Sequence, residues 1–172
     1  LHLLSRRPAS DVYKRQVIPI SYVTSSFVNM LLCFIVIFAV IIVSGAGINF
    51  LALLTLPVIM LVEYILALGM AMLTSAITVY FRDLEHILGI VTMAWMYMTP
   101  IMYDKSIVPE NLMPIFNLNP MTHVIECYRA VLYEKKIPDL TTLLSAAGLG
   151  ILILIVGILV FNKLQKRFAE EL

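Results

Sequence analysis

Charge is almost absent from the first half of this chain. Between Val17 and Phe81 the sequence has one formally charged side chain, Glu63. A soluble domain made from 172 residues cannot hide so much apolar surface in one core. A bilayer can solvate it, because about 20 apolar residues in a helix cross the hydrocarbon layer. The uncharged runs therefore predict an all-α integral membrane protein.

Other features that are scarce exclude whole classes of function. Lys and Arg together number 12 against 11 Asp and Glu, so the chain has no basic excess with which to bind nucleic acid. Its two cysteines, Cys33 and Cys127, form no C-x-x-C pair and predict neither a zinc site nor a disulfide framework. The pattern G-x-x-x-x-G-K-[ST] does not occur, so the chain cannot bind ATP through a P-loop. Energy for any active process must come from a partner.

The first sixteen residues differ in character from the rest. The hexapeptide Asp11-Val12-Tyr13-Lys14-Arg15-Gln16 reads like the translation of a sequencing adapter. On that interpretation residues 1–16 are a library scar, and residues 17–172 form one membrane domain. The alternative is a genuine basic juxtamembrane segment, which the arginines and the lysine would suit.

Four membrane spans are expected in the remainder. They lie near residues 21–43, Phe50–Phe81, Ile87–Tyr103 and Leu140–Asn162. A glycine-rich turn at Gly45–Asn49 separates the first two, and Pro57 either kinks the second or marks a short segment before it. The third run is short, because Thr99-Pro100 breaks it. Its helix is either deep-set or in a locally thin bilayer.

The ends of the spans indicate their orientation. The basic tail that begins at Lys163 favours the cytoplasmic side for the C-terminus. Four crossings then place the charged break at Tyr80–His86 inside and the segment from Asp104 to Asp139 outside. A metal site at this break is not favoured, since adjacent residues on one short turn do not converge.

Two features inside the second run suggest close packing or a role in transport. Ala67, Ala71 and Ser75 recur at helical spacing and predict close helix packing within the chain rather than a dimer interface. Glu63 is open to two interpretations: it lines a pathway or forms an ion pair, or it is a hydrogen-bonded packing residue.

The segment from Asp104 to Asp139 is the only extended amphipathic region. Asn119-Pro120 is typical of a helix start, with Asn as the cap and Pro in the first turn. The helix that follows is expected to lie at the membrane surface or to dip into it. Its Glu126 and Arg129 are spaced to pair with each other, and its polar face is predicted to include Thr122.

Three groups of residues, taken in order, resemble the ABC-2 type permease family. These groups are Tyr80-Phe81-Arg82-Asp83-Leu84, Thr99-Pro100-Ile101-Met102-Tyr103, and Asn119-Pro120 with Tyr128-Arg129. The resemblance is greatest to the branch that exports polysaccharides, O-antigen and teichoic acids. It implies six spans, of which this chain holds the last four, with short gate helices between the last two. It also implies a homodimer in the cytoplasmic membrane of a bacterium or archaeon, with a separate subunit that binds ATP and magnesium. The substrate would be a lipid-linked glycan.

The same resemblance assigns roles to individual residues, none of them catalytic or metal-binding. The cytoplasmic coupling loop would contain Tyr80, Arg82, Asp83 and Glu85. The outer gate segment would contain Pro100, Tyr103, Asn119, Pro120, Tyr128 and Arg129. The alternatives are an ABC-2 exporter of drugs and, less favoured, an intramembrane lipid-modifying enzyme or an ion-coupled carrier. An enzyme needs convergent polar groups, and no second acid or histidine is expected at the depth of Glu63.

Overall fold

The chain is helical over most of its described length. The computed structural model describes residues 7–45, 47–78, 81 and 84–168, with side chains for residues 16–45, 47–78, 81, 84 and 86–164. The helices are α1 (Arg7–Val43), α2 (Phe50–Leu53), α3 (Leu56–Thr78), α4 (Leu84–Met98), α5 (Met113–Leu118), α6 (Pro120–Leu132) and α7 (Leu140–Phe168), with a 3₁₀ turn at Lys105–Ile107. These described ranges contain no β-strand. The all-α prediction is confirmed.

Three segments are long and apolar enough to cross a membrane. They are Gln16–Val43, Phe50–Thr78 and Leu140–Leu164 within the described residues. Their outward faces carry many exposed aliphatic side chains, as expected for helices that lipid solvates. Helix α4 has 15 residues, which reach about 22 Å and fall short of a hydrocarbon core of about 30 Å. The crossing predicted for Ile87–Tyr103 therefore stays a prediction.

The first span begins earlier than the sequence indicated. The first span was predicted to begin near residue 21, but α1 continues through Pro19. The hydroxyls of Ser21 and Thr24 donate to the carbonyls of Ile18 (2.8 Å) and Ile20 (2.7 Å). Because these polar side chains bond to their own helix backbone, they fit inside a membrane helix and do not mark its start.

The second apolar run divides into α2 and α3, as Pro57 suggested. Pro57 is the second residue of α3, where its missing N–H interrupts no intrahelical bond. Asn49 caps α2, since its side chain accepts a hydrogen bond from the backbone N–H of Leu51 (3.0 Å). Gly45 and Gly47 both have φ of +65°, so the predicted turn uses the left-handed conformation that glycine tolerates.

Helix α3 lies at the centre and meets α7 at two glycines. A Cβ atom on Gly69 would lie 2.6 Å from the backbone nitrogen of Leu154, and one on Gly157 would lie 2.6 Å from the backbone oxygen of Gly69. The two backbones are therefore in direct contact, which is how helices gain packing energy in lipid.

The small residues that were expected to make this contact lie elsewhere. Ala67, Ala71 and Ser75 are only partly buried. Ala67 lines a cavity beside Glu63, and the other two line a hollow next to Pro19. Residues two apart on a helix are about 200° apart around its axis, so the stripe lies opposite Gly69. Close packing within the chain was predicted correctly, but on the wrong face of α3.

Candidate functional site

The connection between α4 and α7, residues 99–139, is joined to the end of α4 by one carboxamide. The Nδ2 of Asn119 donates to Thr99 Oγ1 (3.0 Å), and its Oδ1 accepts from Trp95 Nε1 (3.0 Å) and from the backbone N of Met121 (3.1 Å). The orientation of the amide follows from its partners, because an indole N–H and a backbone N–H can only donate. Asn119 thus caps α6, as predicted, and also joins α6 to α4.

Arg129 closes the turn that follows α4. Its Nη2 donates to the backbone oxygens of Pro100 (2.9 Å) and Tyr103 (3.0 Å), while its Nη1 lies 3.7 Å from Asp104 Oδ2. Hydrogen bonds from Ser106 lower the pKa of the Asp104 carboxyl, and the charge of Arg129 acts in the same direction. A guanidinium suits this position, since its donors lie in a fixed fork and it stays charged.

The expected ion pair between Glu126 and Arg129 is wrong. Glu126 pairs with Lys105 at 2.8 Å, and Arg129 turns to the two carbonyls instead. The i, i+3 spacing permits the pair, but it could not reveal that irregular backbone beside α6 offers Arg129 acceptors that need a donor. His123 Nε2 bonds the backbone oxygen of Asn117 (2.8 Å), so His123 ties α6 to the end of α5.

Glu63 has a partner that the sequence did not reveal. Tyr128 of α6 donates from its hydroxyl to Glu63 Oε2 at 2.6 Å, and the ring of Phe34 packs 5.5 Å from the Tyr128 ring, centroid to centroid. Of the two interpretations of Glu63, the hydrogen-bonded packing residue describes this geometry. A pathway role for Glu63 stays a prediction.

A cavity of about 330 Å³ opens between α3 and α4 next to Glu63. Its walls include Trp95, Thr99 and Met121 with other, mostly apolar, side chains. A cavity of this size and lining can hold a small, mainly apolar molecule with one hydrogen-bond donor.

Helix α6 packs against other helices of the chain, and its predicted place at the membrane surface stays a prediction. Val124, Cys127 and Val131 are buried against α3 and α7. Thr122 was assigned to the polar face but is 0% exposed, a correction that follows from contact with protein on two sides of the helix. Burial, aided by the nearby Glu126 and Asp139 charges, raises the pKa of the Cys127 thiol to about 11, so the thiol stays protonated at neutral pH.

The coupling-loop residues lie largely outside the described part of the chain. Tyr80, Arg82 and Asp83 lie outside the described residues, and so does the side chain of Glu85. Their assignment stays a prediction. Among the described residues no three His, Cys, Asp or Glu side chains are grouped as a metal site would require.

The six residues assigned to the gate segment take part in one cluster or lie beside it. Pro100 and Tyr103 supply the carbonyls that Arg129 binds, Pro120 follows the Asn119 cap, and Tyr128 precedes Arg129. Sequence reasoning missed Trp95 and the contact between Thr99 and Asn119, since Thr99 was treated only as part of a helix break and of the family resemblance. The Thr99 hydroxyl donates to the backbone oxygen of Trp95 (2.9 Å). The indole N–H of Trp95 needs a partner in this apolar run, but that partner, Asn119, lies 24 residues away.

Three apolar segments of bilayer length define a membrane protein that crosses the bilayer several times. The short helices α5 and α6 lie between α4 and α7 in the sequence. Residues 2–133 match the family model described as ABC-2 type transporter, and the chain belongs to that family. It is 32% identical over 161 residues to the O-antigen export system permease protein RfbA of Klebsiella pneumoniae, covering 94% of this chain and 62% of that protein. It is 30% identical over 118 residues to the protein of the same name from Myxococcus xanthus, covering 67% and 45%. The chain thus spans less than two thirds of each relative.

Proposed function

We propose that this chain forms four of the membrane spans of a permease subunit in an ABC exporter. Its substrate would be a lipid-linked polysaccharide of the O-antigen or teichoic-acid type, moved across the cytoplasmic membrane of a bacterium or archaeon. The observation that carries the proposal is the similarity, over 94% of this chain, to a protein named as an O-antigen export permease. The resemblance at Tyr80–Leu84, Thr99–Tyr103 and Asn119-Pro120 agrees with it.

In this proposal two permease copies form the passage, and a separate ATPase subunit binds ATP and magnesium. The C-terminus is cytoplasmic, and α4 is the third of the four crossings. The connection at residues 99–139 lies on the outer side and serves as the gate. The bonds from Asn119 to α4 and from Arg129 to the turn after α4 support this role, because they attach α6 to the end of α4.

A drug exporter is the second candidate, and one observation favours it. The cavity between α3 and α4 is lined mainly by apolar side chains around the Glu63 carboxyl, which suits a small lipophilic amine. Purification of the full-length permease with its ATPase subunit separates the two candidates. We expect the lipid-linked glycan to stimulate ATP hydrolysis in proteoliposomes, whereas stimulation by lipophilic amines alone would favour drug export.

The coupling-loop assignment predicts that variants in this loop lose export but still insert into the membrane. In the full-length protein, Arg82→Ala combined with Asp83→Ala should lower the amount of polysaccharide at the cell surface while membrane insertion stays normal. The reason is that the charged loop would contact the ATPase subunit rather than hold the fold. Surface polysaccharide and the amount of permease in the membrane are measured together. Unchanged export in the double variant would remove this role from the loop.

A further inference from the structure

Helix α3 lies between the proposed coupling loop, which follows it in the sequence, and the proposed gate, which contacts it through Glu63. Glu63 lies seven residues after Leu56, where α3 begins, which is about 10 Å along the helix axis, and about 22 Å before Thr78, where it ends. The proposed coupling loop follows that end. Tyr128 of α6, in the proposed gate, bonds Glu63 at 2.6 Å. One rigid helix therefore joins the loop to a residue that holds the gate.

The packing of α3 makes it suited to carry a displacement. Gly69 and Gly157 place the α3 and α7 backbones in direct contact, with no room for a Cβ atom at either glycine. Two helices locked in this way move together, because a close-packed interface resists sliding. A shift at the inner end of α3 would therefore reach Glu63 with little loss.

Tyr128 and the helix that carries it, α6, are also held by several contacts. Tyr128 is held by Phe34 on one side, and the next residue, Arg129, holds the turn at Pro100 and Tyr103. At the start of the same helix Asn119 holds α4 through Trp95 and Thr99. Any movement of Tyr128 would therefore move the whole of α6 and, through it, the end of α4.

We propose that the Glu63–Tyr128 hydrogen bond transmits movement of α3 to α6, so that ATP hydrolysis at the inner side opens the gate. Both are positioning residues, and neither needs to touch the glycan. This inference rests on the proposed function and adds to it the contact through which energy reaches the gate. A purely structural bond would hold α6 in place but would have no effect on coupling.

The test uses the full-length permease in complex with its ATPase subunit, with export, ATP hydrolysis and thermal stability measured on each variant. Tyr128→Phe removes the donor. It should lower glycan export about fivefold or more, as expected for the loss of a coupling interaction, while ATP hydrolysis continues. Glu63→Gln keeps an oxygen acceptor and should export nearly as the wild type does.

A double variant shows whether a loss of export comes from lost transmission of movement to α6 or from a less stable permease. Replacing both partners by apolar groups, Glu63→Leu with Tyr128→Phe, leaves no buried polar group unpaired and should keep stability near that of the wild type. Export should nevertheless stay as low as in Tyr128→Phe. If this stable double variant exports at the wild-type level, the bond is only structural and the inference is overturned.

Two tyrosines on this chain serve as matched controls. Tyr64→Phe also removes a phenol bond from α3, the one to Thr24 on α1 at 2.9 Å, but it does not involve the gate. Tyr22→Phe alters an exposed tyrosine on α1, outside the proposed gate. Both should export normally, and a loss in Tyr64→Phe equal to that in Tyr128→Phe would contradict a specific path through α6. A wild-type complex that exports no glycan would instead overturn the proposed function and this inference with it.

Discussion

At Asn119 one side chain caps α6, binds the Trp95 indole and binds the Thr99 hydroxyl. Asn119→Ala would leave the Trp95 N–H without an acceptor in a mostly apolar setting, which costs about 1–3 kcal/mol. Loss of the cap adds about 1 kcal/mol. We expect a clear drop in the thermal unfolding temperature of the solubilised permease.

Two further variants serve as comparisons for Asn119→Ala. Asn119→Asp keeps the oxygen that accepts from Trp95 and Met121 and loses only the donation to Thr99, so its unfolding temperature should lie between those of the wild type and Asn119→Ala. Asn117→Ala should have no effect, because Asn117 accepts from His123 through its backbone oxygen. Equal unfolding temperatures for Asn119→Ala and Asn117→Ala would contradict the bridging role.

At this scale the sequence predicted local contacts and missed distant ones. The Asn119 cap with Pro120 in the first turn was predictable, because both act within a few residues. The Glu126–Arg129 pair was a local prediction that failed, since non-local carbonyls at Pro100 and Tyr103 offered Arg129 better partners. The link from Glu63 to Tyr128 could not be predicted, as only the fold brings α3 and α6 together.

At the scale of helices, the crossing of α3 and α7 depends on Gly69 and Gly157. Gly69→Ala would place a methyl group 2.6 Å from the Leu154 nitrogen. Backbone atoms cannot yield as a flexible side chain does, so the helices must separate, at a cost of about 1–3 kcal/mol. The aggregation temperature of the detergent-solubilised permease should fall.

Gly148→Ala is the matched control for this contact. Gly148 lies on α7, and a methyl group added to it would have no atom within 4 Å beyond the adjacent backbone of its own helix. Alanine there should therefore be neutral or slightly stabilising, by up to about 1 kcal/mol, through its helix propensity. A Gly69→Ala variant as stable as Gly148→Ala would show that α3 and α7 do not cross where the glycines meet.

Helix boundaries were predictable where glycine or proline punctuates the chain, and less so elsewhere. The Gly45–Gly47 turn and the break before Pro57 follow from backbone conformations that few other residues adopt. The first span begins at Gln16, earlier than the predicted start near residue 21, because hydroxyls bonded to their own helix are as stable inside a span as at its end. The face on which α3 packs could not be read from Ala67, Ala71 and Ser75, since small residues permit close approach without choosing a partner.

For the whole molecule, the long apolar runs established the class of protein, but they do not by themselves establish on which side each connection lies. Helix α4 is too short for a simple crossing, yet every proposed role depends on it. If α4 crosses, the loop at residues 79–83 and the connection at residues 99–139 face opposite sides of the membrane. If α4 does not cross, the loop and the connection lie on the same side of the membrane.

Cysteine accessibility in the full-length permease tests this arrangement most directly. In a background with Cys33→Ala and Cys127→Ala, single cysteines are introduced by Phe81→Cys, Ser106→Cys or Lys163→Cys, all at exposed positions. A membrane-impermeant maleimide should label the Ser106→Cys variant in intact spheroplasts, and should label the Phe81→Cys and Lys163→Cys variants only after permeabilisation. Labelling of the Phe81→Cys and Ser106→Cys variants from the same side would contradict a crossing by α4 and, with it, the separation of coupling loop from gate.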